Sequence, residues 1–377
     1  MKQMHAVTRR RFLTSTALAG ALPLLASCNQ GPTQSNQPNQ TQNAPSEKFQ
    51  WKMVTTWPPN FPILQTGAER FAAQVKALTK GSLEIEVYAG GELVPALGAF
   101  DAVSSGTAQA SSSSAYYWAG TVPAAQFFTS VPFGFTYEQM MAWLFGGGGL
   151  ELWQETYDPF GLVAFPMMTT GVQMGGWFNR KLESLADLQG LKMRMPGLGG
   201  AVLAKAGVST VNLPGAEIFT AMETGTIDAC EWVGPYHDVL LGFPQVARYY
   251  YHPGWHEPGP VTELAINKDA WDKLPAELQQ IVRAVAMDVT NWSFAQFETE
   301  NAKALAKIHQ EFPDVEILRF PDEVLREFKR LTQVVFDEVS AQDAQFARVR
   351  QAYEGFAASL AGWSKISLES YLAALAL

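Results

Sequence analysis

Cysteine and histidine are scarce in this chain of 377 residues. The two cysteines, Cys28 and Cys230, are too few for a disulfide framework or a zinc ribbon. None of the five histidines lies in an H-E-x-x-H pattern. His252 and His256 are four apart, but the Pro-Gly pair between them opposes a helix that would bring both rings to one face. The sequence therefore predicts no histidine or thiolate zinc site.

Positively charged residues are also few. The chain has 27 Lys and Arg but 36 Asp and Glu, which gives a net charge of −9. That balance argues against a nucleic acid partner. Two glycine-rich stretches lack what a nucleotide site needs: the G-x-G at Gly197 has Val202 where a third glycine is required, and no Gly-Lys-Ser/Thr follows residues 146–149. The length allows two ordinary domains, each with its own core.

The amino terminus carries targeting motifs. Residues 8–13, TRRRFL, are typical of a twin-arginine export signal. The apolar run that follows, 17–26, is too short to span a membrane and leads into Leu-Ala-Ser-Cys at 25–28, which resembles the bacterial lipobox. Cleavage before Cys28 would leave its thiol to be lipidated. The alternative is a Sec-type secretory signal with an incidental cysteine.

A polar segment separates these motifs from the body of the chain. Residues 29–49 are rich in Gln, Asn, Pro and Ser and have little to bury, which predicts a disordered tether. With residues 1–28 as a twin-arginine and lipoprotein signal, the sequence predicts a periplasmic protein that a lipid anchor holds at a membrane.

From Trp51 onward, strand and helix patterns alternate, which predicts an α/β fold. Residues 83–88 alternate apolar and polar side chains as a half-buried strand does, and 64–78 have the apolar spacing of a helix. Residues 162–170 and 174–179 are interpreted as strands that run between two lobes.

The last part of the chain is helical in pattern. Apolar residues recur there in steps of three, four or seven: Val324, Phe328, Leu331, Val335, Val339, Phe346, Val349, Tyr353 and Phe356. This near-heptad seam predicts a long helix. It packs either across the protein's own lobes or on a second copy of the chain.

Arg194 stands out because it ends a predicted strand just before a glycine-rich turn and a helix start. Arginine can bind a carboxylate through two hydrogen bonds, and an adjacent helix N-terminus adds donors. The carboxyl ends of strands are also where α/β folds bind ligands. An anion clamp is one interpretation; a solvated side chain or a pairing with a nearby acid is the other.

Gln173, Glu231 and Trp232 lie in unusually apolar surroundings. A glutamate is costly to bury there unless it is paired or binds a metal. A salt bridge from Glu231 to Arg194 is at least as good an interpretation as a metal site. If a metal is bound, the available oxygen ligands select a hard cation such as sodium, calcium or magnesium.

At this point the chain resembles the solute-binding proteins of tripartite ATP-independent periplasmic (TRAP) transporters, in particular the subgroup that binds 2-oxo acids such as pyruvate. The resemblance runs from Trp51 to about Leu368 and rests on five stretches: TTWPPNFP, GGELVPALGAFDAVSSGTA, TTGVQMGGWF, LKMRMPGLGG and GTIDACEWVGPYHD. It implies an α/β, two-lobe periplasmic binding protein fold that closes on its ligand. In this sequence, lobe I would be 50–168, completed by about 263–320, lobe II would be 169–262, and 321–377 would be C-terminal helices.

The resemblance also implies roles for individual residues. Arg194 matches the arginine that binds the ligand carboxylate. Gln173 and Glu231 match side-chain ligands of a sodium ion, and Trp232 matches a backbone-carbonyl ligand. The long C-terminal helix would allow a homodimer, and TRAP membrane permease subunits would be the partners.

Two functions remain open: a receptor that delivers a small organic acid to a permease, or a metal-dependent enzyme such as a lyase or decarboxylase. The receptor is favoured because no Ser-His-Asp or lysine constellation is visible. Trp57, Tyr117 and Trp232 are the predicted pocket walls. Sodium is preferred over calcium because we take Asp228 as the one candidate for a second acid beside Glu231, and it precedes the motif; a calcium-dependent lactate, 2-hydroxy acid or dicarboxylate receptor is the alternative.

Overall fold

Strands and helices alternate along the chain in the computed structural model, which describes residues 47–375 and 377. In that part of the chain the strands are β1 (Phe49–Thr55), β2 (Leu83–Tyr88), β3 (Ala110–Ser113), β4 (Leu162–Thr169), β5 (Gly176–Phe178), β6 (Lys192–Arg194), β7 (Ser209–Val211), β8 (Ala229–Cys230), β9 (Tyr249–His252), β10 (Val261–Asn267) and β11 (Glu316–Arg319). The helices are α1 (Leu64–Leu78), α2 (Ala99–Ser104), α3 (Tyr137–Gly146), α4 (Gly149–Tyr157), α5 (Gly197–Lys205), α6 (Gly215–Glu223), α7 (Pro235–Leu240), α8 (Lys268–Asp272), α9 (Ala276–Glu311), α10 (Asp322–Gln342), α11 (Ala344–Ser364) and α12 (Ser370–Leu375). The predicted signal, Cys28 and most of the predicted tether lie outside the described residues.

The first sheet has the strand order β2-β1-β3-β10-β4. Strand β1 runs parallel to β2 and β3, whereas β10 is antiparallel to both of its neighbours, β3 and β4. Every residue of β4 is buried, because α9 packs along this strand. A continuous apolar strand is what a sheet covered by helices requires.

The second sheet has the order β11-β9-β5-β8-β6-β7. Strand β6 lies between β8 and β7 and runs parallel to both, which brings its carboxyl end to the same edge as theirs. Strand β11 pairs with β9. The segment 263–320 therefore contributes to both sheets: it contains most of β10, which lies in the first sheet, and β11, which lies in the second.

The chain passes between the two sheets through two short connections, 170–175 and 253–260, which we call the crossing segments. Helix α9 spans 36 residues, roughly 54 Å at 1.5 Å per residue, and contacts α1 and β4 of the first lobe and α7 of the second. The predicted α/β two-lobe fold with long C-terminal helices is confirmed.

The single long helix expected from the C-terminal seam is wrong, because the structure has two helices, α10 and α11, on either side of Asp343. The Asp343 side chain accepts a hydrogen bond from the Phe346 amide at 2.6 Å and starts the second helix. Helix α10 packs on α5 of the second lobe, and α11 packs on α4 of the first. The seam thus faces the protein's own lobes, as one of its two interpretations had it.

Within the part of the chain that the structure describes, no helix is long and apolar enough to cross a membrane.

Candidate functional site

Arg194 lies at the carboxyl end of β6, opposite Val211 of β7 and Cys230 of β8. Its side chain is only 1% exposed. Helix α5 begins three residues later at Gly197, which has a φ of 61°. A Cβ at Gly197 would come within 3.0 Å of Tyr116, so this turn requires glycine for both conformation and space. The predicted placement of a cation at a strand end before a helix is confirmed.

The guanidinium of Arg194 is held by neighbours on several sides. Its Nη1 donates to the Glu231 carbonyl at 2.5 Å and to the Glu231 carboxylate at 3.0 Å. Its Nε donates to the Leu213 carbonyl at 3.3 Å, and its Nη2 lies 3.5 Å from the Tyr117 hydroxyl. The Trp232 ring lies 5.1 Å from the guanidinium carbon, within cation–π range. The ion pair that the sequence allowed between Arg194 and Glu231 is therefore present.

Glu231 is 1% exposed, and among the described residues only one of its two carboxylate oxygens has a hydrogen-bond partner. The unpartnered Oε1 lies 3.4 Å from His256 Nε2. Burial raises the pKa of the Glu231 carboxyl to about 8 and outweighs the opposing effect of Arg194. A half-satisfied buried carboxyl needs a further partner.

Gln173 lies on the first crossing segment, and its backbone N–H donates to the Glu257 carbonyl of the second at 3.2 Å. Its side-chain amide is oriented by two further side chains. Its Nε2 donates to Thr170 Oγ1 at 3.0 Å and to Glu257 Oε2 at 2.7 Å. Those two bonds leave Oε1 buried and without a partner in the part of the chain that the structure describes. An amide oxygen in this state is a ready ligand for a hard cation.

Trp232 contributes its backbone as well as its ring. Its side chain is 4% exposed, and within residues 47–375 no hydrogen bond reaches its carbonyl oxygen. Buried carbonyl groups are seldom left in this state. The predicted ligand atoms of Gln173, Glu231 and Trp232 thus share one property: each is a buried oxygen that the described part of the protein leaves free.

The second crossing segment brings His256 and Glu257 to the same place, which sequence reasoning could not do. Ligand atoms of Glu231, His256 and Glu257 all lie within 4.8 Å of one another. Burial and the nearby Glu231 raise the pKa of Glu257 to about 8. The assumption that the site has no second acid is wrong, because that acid is Glu257; Asp228 instead accepts the Lys192 amide, at the start of β6. In the sequence, the feature that could have pointed to Glu257 is that it is an acidic residue in the apolar stretch that follows β9.

A cavity of about 20 Å³, measured as the space open to the centre of a water-sized sphere, lies between the two lobes. Its wall includes the predicted wall residues Trp57, Tyr117 and Trp232, together with Gln173 and Glu257 of the crossing segments; Arg194 and Glu231 are not among the described residues that line it. Trp57 is fixed by a hydrogen bond from its Nε1 to Ser112 Oγ at 3.1 Å. None of the described residues that line this cavity is a lysine or cysteine.

A buried arginine, oxygens without partners among the described residues and a small cavity between the two lobes together suit the binding of a small anion. Residues 53–343 match the model of bacterial extracellular solute-binding protein, family 7, and the chain belongs to that family as a solute-binding protein of the TRAP type. The resemblance inferred from the sequence is confirmed.

A curated relative spans nearly the whole chain. It is the monocarboxylate 2-oxoacid-binding periplasmic protein of Nostoc sp. strain PCC 7120, which is 39% identical over 363 residues and covers 96% of this chain and 97% of its own.

Two solved structures of TRAP periplasmic solute binding proteins superimpose with a TM-score of 0.84. One, from Pseudoalteromonas atlantica T6c, has bound sodium and pyruvate; it is 40% identical and covers 86% of this chain and 99% of its own. The other, from Colwellia psychrerythraea, has bound calcium and pyruvate; it is 38% identical with the same coverage. Of the hard cations considered from the sequence, sodium and calcium both occur in these relatives.

Proposed function

We propose that this chain is an extracytoplasmic receptor for a small 2-oxo monocarboxylate of the pyruvate type. Arg194 binds the carboxylate, and a cation held by Gln173, Glu231 and the Trp232 carbonyl binds the acid's remaining oxygens. The observation that carries the proposal is the set of buried oxygens, beside a buried arginine, that receive no hydrogen bond from the described residues. Such oxygens suit a hard cation. The relatives with bound pyruvate support the class of acid.

The charge balance of the site determines which cation fits. Arg194, Glu231 and Glu257 sum to −1 when both acids are ionised, and a monocarboxylate ligand brings the sum to −2. Calcium neutralises that charge, whereas sodium is sufficient when one carboxyl retains its proton. Net charge is costly in a closed, poorly hydrated cleft. We therefore propose that the site accepts either ion and that Glu257 shifts the preference towards calcium, which keeps the calcium-dependent receptor for 2-hydroxy acids such as lactate as the second candidate.

The receptor releases its acid unchanged to TRAP permease subunits in the membrane, and we propose that it has no enzymatic activity. The absence of a lysine or cysteine from the described cavity wall supports this view. Native mass spectrometry of the purified protein tests the proposal. We expect one metal ion and one small acid per chain, both lost on denaturation, and unchanged pyruvate in solution after prolonged incubation. A chain that takes up no acid from added pyruvate with sodium or calcium, or that consumes pyruvate, would refute it.

The amino-terminal motifs lie outside the described residues, and we propose from the sequence that the protein is exported by the twin-arginine route and lipidated at Cys28. A receptor on a lipid anchor and a tether would stay close to its permease. The variant Cys28→Ala should move the protein from the membrane fraction to the soluble fraction or block its processing. Identical soluble fractionation of both forms would show that the lipobox interpretation is wrong.

We also propose that the protein forms a homodimer through the end of the chain. The seam of α10 and α11 is covered by the protein's own lobes, but the residues that follow expose large apolar side chains: Trp363, Ile366, Tyr371, Leu372 and Leu375. A second copy is the natural cover for such a surface. Light scattering of the protein should give twice the chain mass, and Ile366→Glu should give a monomer.

A further inference from the structure

The peptide bond between Trp232 and Val233 is held from one side only. The Val233 amide donates to Asp238 Oδ1 at 3.3 Å. On the other side, the Trp232 carbonyl oxygen receives no hydrogen bond from residues 47–375. Because a trans peptide holds its N–H and C=O in opposite directions, a partner that fixes the amide also fixes the direction of the carbonyl. Asp238 therefore points the Trp232 oxygen away from itself.

Asp238 is itself rigidly placed. Its side chain is 1% exposed, and its Oδ2 accepts hydrogen bonds from Trp177 Nε1 at 3.0 Å and from the Tyr250 hydroxyl at 2.7 Å. Trp177 of β5 and Tyr250 of β9 are directly paired in the second sheet, and their rings stack with centroids 4.0 Å apart. The carboxyl is thus anchored to the centre of a sheet, which makes it a firm reference point for the Val233 amide.

The next peptide bond is fixed as well. The Val233 carbonyl accepts from the Met174 amide at 3.0 Å, which ties this turn to the crossing segment that carries Gln173. The turn is therefore held at both peptide groups that flank Val233. The hydrogen bond from an amide to a carboxylate also polarises the peptide and increases the negative charge on its oxygen.

We propose that Asp238 is a positioning residue of the ligand site: it orients and polarises the Trp232 carbonyl so that this oxygen can bind the cation, without itself touching the cation or the acid. The proposal rests on the proposed function, since it requires that a cation bind at this carbonyl. The proposal thus assigns a function to Asp238, which lies in α7 and is not one of the proposed ligands of the cation.

The test compares Asp238→Asn with Tyr251→Phe by calorimetric titration of pyruvate at several calcium concentrations. Asparagine keeps the shape but replaces the carboxyl that holds and polarises the Val233 amide. Phenylalanine at Tyr251, in the same strand as Tyr250, removes buried hydrogen bonds to Leu182 and leaves Asp238 and its partners in place. We expect Asp238→Asn to weaken calcium-dependent pyruvate affinity at least tenfold and Tyr251→Phe to change it less than threefold, while both lower the melting temperature.

Equal losses of affinity in the two variants, or a loss below threefold in Asp238→Asn, would overturn the proposal. If Asp238→Asn does not fold, the wild-type protein labelled with 15N-valine gives the second test. One valine amide that is protected from exchange should shift on addition of calcium with pyruvate, and the absence of such a resonance would also overturn it. Failure of the proposed function is a different result, because the wild-type protein would then show no calcium- or sodium-dependent pyruvate binding.

Discussion

Arg194 is almost fully buried, and within residues 47–375 only one carboxylate, that of Glu231, pairs with it directly. The remaining contacts of its guanidinium are to carbonyl oxygens, a tyrosine hydroxyl and an indole ring. A buried cation with this much neutral contact suits a ligand that brings its own negative charge. The planar guanidinium can donate two parallel hydrogen bonds to such a carboxylate, and an ammonium group lacks this bidentate geometry.

We therefore expect Arg194→Lys to abolish nearly all pyruvate binding in isothermal titration, because lysine keeps the charge but loses the bidentate geometry. Arg248→Lys is the matched control, since Arg248 pairs with Glu316 at an exposed site and should tolerate the change. Affinity within about threefold of wild type, a difference under roughly 0.7 kcal/mol, would mean that Arg194 does not hold the ligand.

Glu257 provides a second prediction at this scale. Replacing it by glutamine preserves the size of the side chain and removes one negative charge from the site. Calcium should lose at least tenfold in affinity relative to sodium, when both are measured with saturating pyruvate. A ratio that stays constant would show that the charge of Glu257 does not influence the choice of cation.

Arg194, Gln173, Glu231 and Trp232 could be proposed from the sequence because each lies in a distinctive local stretch, and the structure brings all of them together. The role of Glu257 could not be derived in the same way. Its position depends on how the second crossing segment passes back between the sheets, which is a long-range property of the topology. Local patterns do not encode which residues two distant segments bring together.

Strand β10 carries a buried carboxyl that fixes part of the cavity wall. Glu263 accepts hydrogen bonds from Trp118 Nε1 and from the Tyr157 hydroxyl, both at 2.6 Å. Trp118 ends the short 3₁₀ turn Ala115–Trp118, which presents Tyr117 to the cavity. Burial raises the pKa of the Glu263 carboxyl to about 7, although both hydrogen bonds oppose that shift.

This pKa gives the protein's stability a definite pH dependence. Because the folded-state pKa lies above the value of about 4.5 in the unfolded chain, the contribution of Glu263 is complete below pH 4.5 and is lost as the pH rises towards 7. The expected loss is about 3 kcal/mol at most. Urea unfolding from pH 4 to 8 should show a smaller decline in Glu263→Gln than in wild type. Parallel pH profiles would contradict the assignment.

The break between α10 and α11 is the element that the apolar pattern missed. The seam continues through Asp343 with nearly unchanged spacing, so periodicity alone could not reveal two helices. A single capping side chain, that of Asp343, ends one helix and starts the next. The spacing of apolar residues carries no information about that hydrogen bond.

Asp343→Ala should lower the free energy of unfolding by about 1 kcal/mol, because it removes the side-chain acceptor of the Phe346 amide. Asp314→Ala is the control, since Asp314 is exposed in the turn before β11 and should change stability by less than about 0.5 kcal/mol. Denaturant titration of both variants decides the matter. Equal effects would mean that the cap contributes nothing of its own.

Over the whole molecule, the two lobes contact each other beside the cavity. The loop between β1 and α1 in the first lobe reaches α7 of the second, where His237 Nε2 lies 2.9 Å from the Pro62 carbonyl. Phe61 of the same loop packs on the His237 ring and meets the edge of Trp232. The alternation of strands and helices predicted the α/β class, but which residues of the two lobes face each other only the assembled fold reveals.

We propose above that the acid and a cation bind together between these lobes. Since the acid's oxygens would complete the cation's ligand shell, each should tighten the binding of the other by the same factor. Glu231→Gln should weaken both while leaving the fold intact, because it removes the charged ligand of the cation.

The most direct measurement is calorimetric titration of pyruvate into wild-type protein stripped of metal, in choline buffer, and again at rising sodium or calcium concentrations. We expect weak or undetectable binding without a cation, affinity that rises with cation concentration, and an equal effect of pyruvate on cation affinity. Pyruvate affinity that is the same in choline buffer after chelation of divalent ions as in sodium or calcium would show that no cation takes part in binding the acid.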